Sequence, residues 1–374
     1  MTTRILQRPV PNDWRSLFPD LPPVLARVYA SRRVADAQEL EHSLEYLPPP
    51  ASMKGMDDAL QVLVPAVEEG RRILVVGDFD ADGATSTALA LRALRLMGAA
   101  DVHFLVPNRF EYGYGLTPEI VAVAADKQPD VIVTVDNGIA SIEGVRAAQA
   151  HGMQVVVTDH HLPGETLPDA EAVVNPNQPG CTFPSKSLAG VGVIFYVMMA
   201  LRAALRDDGW FERRGLQPPN LARLLDVVAL GTVADVVPLD HINRILVAQG
   251  LARIRSGHCC PGIDALLEIA GRQRENLVAS DLGFAVAPRL NAAGRLQDMS
   301  IGIQCLLSDD PQRARELACE LDTLNSERRS IEAEMRDQAF NHLQTLQLEE
   351  GDSLPSGLCL FHEEWHQGVI GILA

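Results

Sequence analysis

The sequence predicts an α/β protein: a doubly wound, mostly parallel sheet, then a helical second part, then a long connecting helix. Three observations carry this. Between residue 71 and about 175, short β-branched apolar runs alternate with segments apolar at helical spacing, the pattern of strands buried on both faces with crossover helices between them. From 188 to 306 the spacing is helical almost throughout. From Asp310-Pro311, a good cap and first-turn pair, a helical pattern with charges on most faces runs to about 346.

Residues 1–50 are punctuated by proline ("RPVPNDW", "FPDLPP", "YLPPP") around short helical pieces, which reads as an arm packed over a larger domain. Strands are expected at 73–77, 102–106, 131–135, 154–158 and 172–174, with helices at about 84–97, 117–126 and 141–151. Helices follow at 188–207 and 220–234, and 241–306 is mainly helical with a polar break at "GRQREN". The last stretch, "SGLCLFHEEWHQGVIGILA", opens a new strand-then-helix pattern. The expected division is an arm at 1–50, a main domain at 51–306, a connector at 307–350 and the start of a further domain at 351–374.

With 374 residues, 47% of them hydrophobic and 22% charged, the chain can bury substantial cores. Its N-terminus has no apolar run of signal-peptide length, and no apolar stretch is long enough to span a bilayer. Cysteines at 181, 259, 260, 305, 319 and 359 form no CxxC pair, which favours reduced core thiols and a cytoplasmic protein with no membrane partner. A formal charge of −17 argues against a broad electrostatic grip on nucleic acid. A local basic groove is compatible with that charge, and a metal-binding cleft concentrates carboxylates.

The chemistry begins at "DFDADG". Asp78, Asp80 and Asp82 open like a calcium loop, but the twelfth position, where a bidentate Glu belongs, is Leu89. The flanking strand and helix place these carboxylates instead at the C-terminal edge of a parallel sheet, where such sheets bind ligands. The same edge gathers Asp136 of "VIVTVDNGIAS" and Asp159, His160 and His161 of "VVVTDHHLPG". "VALGTVADVVPL" adds Asp235 at a helix C-terminus. Carboxylates crowded in this way repel one another unless a cation neutralises them, so a divalent metal is expected. Their mixture with imidazole suits Mn²⁺, and two ions about 3.5–4 Å apart would activate a water and steady the leaving oxygen of a phosphoryl group. Asp159 reads as a residue that orients the histidine turn. Arg109, ahead of Gly113 and Gly115, and the basic, amide-bearing "PRLNAAGRL" with Arg289, Asn291 and Arg295, suit phosphate binding.

"GDFDADGATS", "TVDNGI", "TDHHLP" with "VNPNQPG", "LAGVGVIFYVMMAL", "GTVADVVPL" and "PRLNAAGR" occur in the order and spacing of the DHH phosphoesterase superfamily. More narrowly, the set resembles its branch of single-strand-specific exonucleases, from about residue 50 to the C-terminus. The resemblance implies that Asp80 and Asp82 each favour one metal, that Asp136 bridges both, and that His160 and Asp235 complete the second. Many relatives carry a His four residues before the position of Asp80; Val76 stands there in this chain, and Asp78 or water would fill that role. By the same resemblance His161 faces the scissile phosphate and Arg109 helps bind the 5′ end of the strand. From their residue types, Arg295 and Asn291 are expected beside His161 as catalytic residues and Arg289 as a further substrate contact.

The implied activity is a Mn²⁺- or Mg²⁺-dependent 5′→3′ exonuclease on single-stranded DNA in recombination and repair, with a helicase or single-strand-binding protein as a further partner. Two alternatives fit the same residues: a DHH phosphodiesterase of short oligonucleotides or cyclic dinucleotides, and a catalytically silent metal-binding module. The C-terminal stretch resembles the opening of the superfamily's second module, DHHA1, without its glycine-rich phosphate-binding segment. The chain is therefore expected to be a truncated front portion whose apolar tail at 369–374 is uncovered, giving poor solubility or a need for a partner.

Overall fold

The computed structural model describes residues 5–345, 357 and 359–373. Its sheet comprises β1 (Arg72–Val76), β2 (Asp101–Leu105), β3 (Val131–Val135), β4 (Gln154–Thr158) and β5 (Ala172–Val174), all parallel, in the order β2-β1-β3-β4-β5. Each strand lies within one residue of its expected place, because runs such as Ile73–Val76 are buried on both faces and leave little freedom of assignment.

Five helices enclose the sheet: α1 (Met56–Glu68), α2 (Ala81–Leu96), α3 (Pro118–Ala125), α4 (Ile142–Ala150) and α5 (Gly190–Asp207). Ile73, Val75, Val131 and Val133 share one core with α1, α2 and α5, while Leu74, Val76 and Ile132 share the other with Ile120 and Val145 of α3 and α4. The chain moves outward from β1 to β2 and then crosses back to β3. This reversal opens a crevice past the C-terminal ends of β1 and β3.

One boundary differs from expectation in a way that matters. Helix α2 starts at Ala81 rather than 84, because the Asp80 side chain accepts a hydrogen bond from the Gly83 N–H at 2.9 Å and caps the helix. Asp82 consequently sits inside the first helical turn and not in the preceding loop.

The second part comprises α6 (Leu225–Ala234), α7 (His241–Arg255), α8 (Pro261–Ile269), α9 (Ala287–Leu296), α10 (Ser300–Leu307) and α11 (Pro311–Thr345). Helix α11 is more than a connector. Ala314, Leu317, Ala318, Leu321 and Leu324 are buried in the main core, and Met335, further along, packs with Trp365 and Val369 in a small second core. Val369 of the apolar tail is therefore covered, while Ile370 and Ile372 are partly exposed. The expected connector end and the expected start of the next module, at 350 and 351, lie outside the described residues. The arm forms a small core of its own around Phe18, Ala26, Ala30 and Val34. Among the described residues no helix is long and apolar enough to cross a membrane.

Helix α9 approaches the turn between β1 and α2 so closely that a Cβ on Gly294 would lie 1.8 Å from the Phe79 carbonyl oxygen. Alanine is the better helix former, yet Gly294→Ala is expected to destabilise the chain by about 1–3 kcal/mol in chemical denaturation, because the contact is with backbone. Gly164→Ala, whose Cβ would meet nothing nearer than 3.9 Å, is expected to leave the midpoint unchanged.

Candidate metal centre

The crevice past β1 and β3 holds the carboxylates. Asp136 continues the ladder by donating its N–H to the Thr158 carbonyl at 3.1 Å, then turns at φ 61°, a left-handed conformation that Asp tolerates better than most residues. Asn137 follows, and its side-chain amide donates to Val76 O at 3.1 Å and Val135 O at 2.9 Å, tying the ends of β1 and β3 together. Behind Asp136 stands Gly190 at the start of α5, where a Cβ would lie 2.7 Å from the Asp136 Cβ. The Gly190 and Val191 N–H groups at the same helix start donate to the two Asp82 oxygens, at 2.6 and 3.0 Å. The positive end of an 18-residue helix thus faces a buried carboxylate.

Asp78, Asp80 and Asp136 bring carboxylate oxygens within 4.8 Å of one another, as do the donor atoms of Asp82, His160 and Asp235, and those of Asp136, His160 and His161. Asp136 belongs to two of these sets. The His160 Nε2 lies 3.0 Å from Asp136 Oδ1, 3.5 Å from Asp235 Oδ2 and 3.9 Å from Asp82 Oδ2. Both His160 Nε2 and Asp136 Oδ1 are buried without a hydrogen-bond partner. Burial, and then the neighbouring His161 charge, push the His160 imidazole down to about 4, so its lone pair is free at neutral pH.

The carboxylates are pushed the other way. Burial, then the Asp80 charge, raises Asp78 to about 8 and Asp235 to about 7. Asp82 and Asp136 stand well above the usual carboxylate range, again through burial first, then through the Asp235 and Asp80 charges for Asp82 and the Asp82 and Asp80 charges for Asp136. Orphaned buried donors, a neutral imidazole and carboxylates that resist ionising together are what a divalent cation would satisfy, and the residues present fit one or two such ions.

Asp159 holds the histidine turn. Its Oδ1 accepts from the His160 N–H at 2.7 Å, the His161 N–H at 3.1 Å and His161 Nδ1 at 2.8 Å, and its Oδ2 accepts from the Ile139 N–H at 2.9 Å. Burial opposes the Asp159 charge, but these bonds and the His161 charge hold its carboxyl below the usual range. The same bond raises His161 to about 9. From the "VNPNQPG" segment, Asn175 and Asn177 donate to the His161 and His160 carbonyls at 3.0 and 2.6 Å.

A family model described as the DHH family, N-terminal domain, matches residues 72–232. The single-stranded-DNA-specific exonuclease RecJ of Salmonella typhimurium is 58% identical over 371 residues, which is 99% of this chain and 64% of that protein. A crystal structure of exonuclease RecJ bound to manganese has a TM-score of 0.73 at 37% identity, over 86% of this chain and 76% of that one. The chain belongs to the RecJ family. RecJ from Thermus thermophilus, solved in complex with Mn²⁺, gives a TM-score of 0.80 at 35% identity, over 99% of this chain and 51% of that one. The chain spans 64% of the length of the Salmonella RecJ and 64% of that of the Escherichia coli RecJ.

Against this RecJ framework, two residues sit otherwise than their sequence pattern suggests. Asn291 was expected among the catalytic residues, but its Oδ1 accepts the Ala81 N–H at 2.8 Å, so it positions the carboxylate loop at the start of α2. Arg289 was expected at the substrate, but its Nε donates to Asp322 of α11 at 2.9 Å, and its Nη1 donates to the Ala285 carbonyl. An amide or guanidinium serves backbone and helix packing as readily as phosphate, so residue type alone does not separate the two roles. Arg109 stacks 4.0 Å over the Phe79 ring with its Nε unpartnered. Arg295 is half-buried with Nη1 on the Gly368 carbonyl at 3.0 Å, close enough to Arg109 and Asp80 to feel both charges. Residue patterns alone missed Tyr114, which packs edge-on to both Phe79 and His161. They also gave no role to Asn137 and Gly190, although both lie in the quoted motifs.

Without cation, Asp235 (about 7), Asp78 (about 8) and His161 (about 9) keep their protons to higher pH folded than unfolded, so together the folded chain holds more protons between about pH 6.5 and about pH 9, Asp235 giving up its excess first and His161 last. Stability therefore falls as pH rises through that window, whereas the lowered His160 acts in the opposite sense only below about pH 6.5. Melting in EDTA is expected at lower temperature near pH 9 than near pH 6.5, with added Mg²⁺ restoring more at the higher pH. A flat or rising profile, or no response to the cation, would contradict this electrostatic picture.

Proposed function

We propose that this chain is the catalytic front of a divalent-metal-dependent exonuclease that removes nucleotides from the 5′ end of single-stranded DNA. The observation that carries the reading is the meeting of two potential metal sets, Asp78 with Asp80 and Asp136 and Asp82 with His160 and Asp235, at the sheet's switch point, where Asp136 Oδ1 lies 3.0 Å from His160 Nε2, in a chain of the RecJ family. Asp80, Asp82, Asp136, His160 and Asp235 would hold Mn²⁺ or Mg²⁺, with Asp78 in the place that Val76 leaves open. Two such ions supply an activated water and neutralise charge at the leaving oxygen.

The chain's own residues do the rest. His161 keeps its proton at neutral pH, and Asp159 fixes its Nδ1, so the Nε2 face is presented as a charged donor to a phosphoryl oxygen. Arg109, fixed flat on Phe79, and Arg295 add two guanidinium groups on the same side as Asp80. Asn291, through Ala81, holds the first carboxylate turn in register. The enzyme would work in the cytoplasm, in recombination and repair, on single strands that an activity separating duplex DNA must first supply. A helicase or a single-strand-binding protein is therefore the class of partner to expect.

The test is digestion of a 5′-phosphorylated, 3′-labelled single strand of about 40 nucleotides with Mn²⁺, where Asp136→Ala is expected to slow shortening by about a hundredfold or more. Asn291→Ala is expected to slow it less, through a loosened Ala81 turn. If the long strand stays intact while a dinucleotide is cleaved, the substrate is short oligonucleotides and the exonuclease reading fails.

A further inference from the structure

We propose that the N-terminal arm carries a second contact for the DNA strand, separate from the metal centre, in which arginines grip the phosphates. The proposal rests on the exonuclease reading. The first observation is charge: the whole chain has 49 acidic against 32 basic residues, yet residues 5–35 carry five arginines and only two aspartates.

The second observation is how those arginines are held. Arg8, Arg15, Arg27, Arg32 and Arg33 are all exposed, and among the described residues no carboxylate pairs with any of them. Elsewhere the chain's arginines are commonly matched, as Arg289 is to Asp322 and Arg244 to Glu39. Five unmatched guanidinium groups on one short segment of an acidic protein form a local positive field.

The third observation is shape. Arg8, Arg32 and Arg33 line one groove of about 720 Å³, between the Pro9–Pro11 stretch and the end of the helix Pro23–Ser31. Arg33 adopts φ 63°, so the chain turns sharply just where the two adjacent arginines are displayed. Nearby, Arg15 stacks 5.1 Å from the partly exposed Trp14 ring, an aromatic and cation pair of the kind that tolerates any base.

The arm is also tied beside the site. Glu39 pairs with Arg244 at 2.9 Å, the Gln249 side chain donates to the His42 carbonyl at 2.6 Å, and His241 lies 3.2 Å from the Glu41 carbonyl. All three anchors are on α7, which begins six residues after the site residue Asp235, no more than about 20 Å along the chain. A polyanionic occupant fits the guanidinium groove by charge, and phosphate is the group that guanidinium forks match best.

The experiment compares Arg8→Ala/Arg32→Ala/Arg33→Ala with its parent in the full chain, using anisotropy of a labelled oligo-dT of about 30 nucleotides over a salt series in an Asp136→Ala background. Three lost phosphate contacts are expected to reduce the slope of log K against log salt by about 2 and to weaken binding about tenfold or more at about 0.1 M salt. The triple Lys variant is expected to keep the slope, which separates lost charge from misfolding. With Asp136 intact, hydrolysis of an oligonucleotide of about 6 nucleotides is expected to be unaffected by the triple Ala change, since the arm is not needed to reach the centre. An unchanged slope overturns the proposal, as does an arm that binds an acidic peptide through these arginines while the 30-mer is unaffected. Failure of the exonuclease reading would show separately, as a 30-mer left intact by the parent chain whether or not the short oligonucleotide is hydrolysed.

Discussion

Asp78, Asp82 and Asp136 are buried carboxylates in one crevice, Asp136 grouped with Asp78 and both Asp136 and Asp82 within 4 Å of a neutral imidazole, and much of the structure answers to that constraint. A cluster of this kind cannot ionise fully in a low-dielectric crevice without compensating positive charge. The fold supplies part of it from backbone. The N-terminus of α5 donates two N–H groups to Asp82, and the start of α2 donates the Gly83 N–H to Asp80. The remainder is left for bound cations, with the orphaned His160 Nε2 and Asp136 Oδ1 facing each other at 3.0 Å.

The scaffold serves to hold these charges in place. Asn137 straps β1 to β3 at the point where the strand order reverses, and Asn175 and Asn177 do the same for the histidine backbone. Asp159 sits behind the histidines with every strong acceptor site engaged, so His161 is both oriented and kept charged. Helix α9 presses on the β1–α2 turn and delivers the Asn291 oxygen to the Ala81 N–H. Besides carrying Asp235 and Arg295, the helical second part thereby fixes the position of the first carboxylates.

Much of this was legible before any coordinates. The strands β1, β3 and β4 were, because parallel strands buried on both faces are written as β-branched runs with few rival readings, and the sheet edge then gathers Asp78, Asp136 and His160 by topology alone. The partners of those residues were less legible. Whether Asn291 caps a helix or touches phosphate depends on a contact 210 residues away in sequence, and Arg289 meets Asp322 only once α11 is packed. Helix α11 itself looked like a bare connector because its apolar stripe is narrow among many charges, yet Ala314, Leu317 and Leu321 are buried. The arm was read as packing material, since its proline spacing is more conspicuous than its arginines.

The most direct measurement of the central claim is the number and coupling of Mn²⁺ ions held by the chain, read by titration and electron paramagnetic resonance on the metal-free protein. Two ions per chain with an exchange-coupled signal, reduced to at most one uncoupled ion in Asp136→Ala, is the result expected if that carboxylate, grouped with Asp78 and Asp80 and 3.0 Å from His160, bridges the two sites. A single isolated ion whose binding is indifferent to Asp136, or no binding at all, would contradict it.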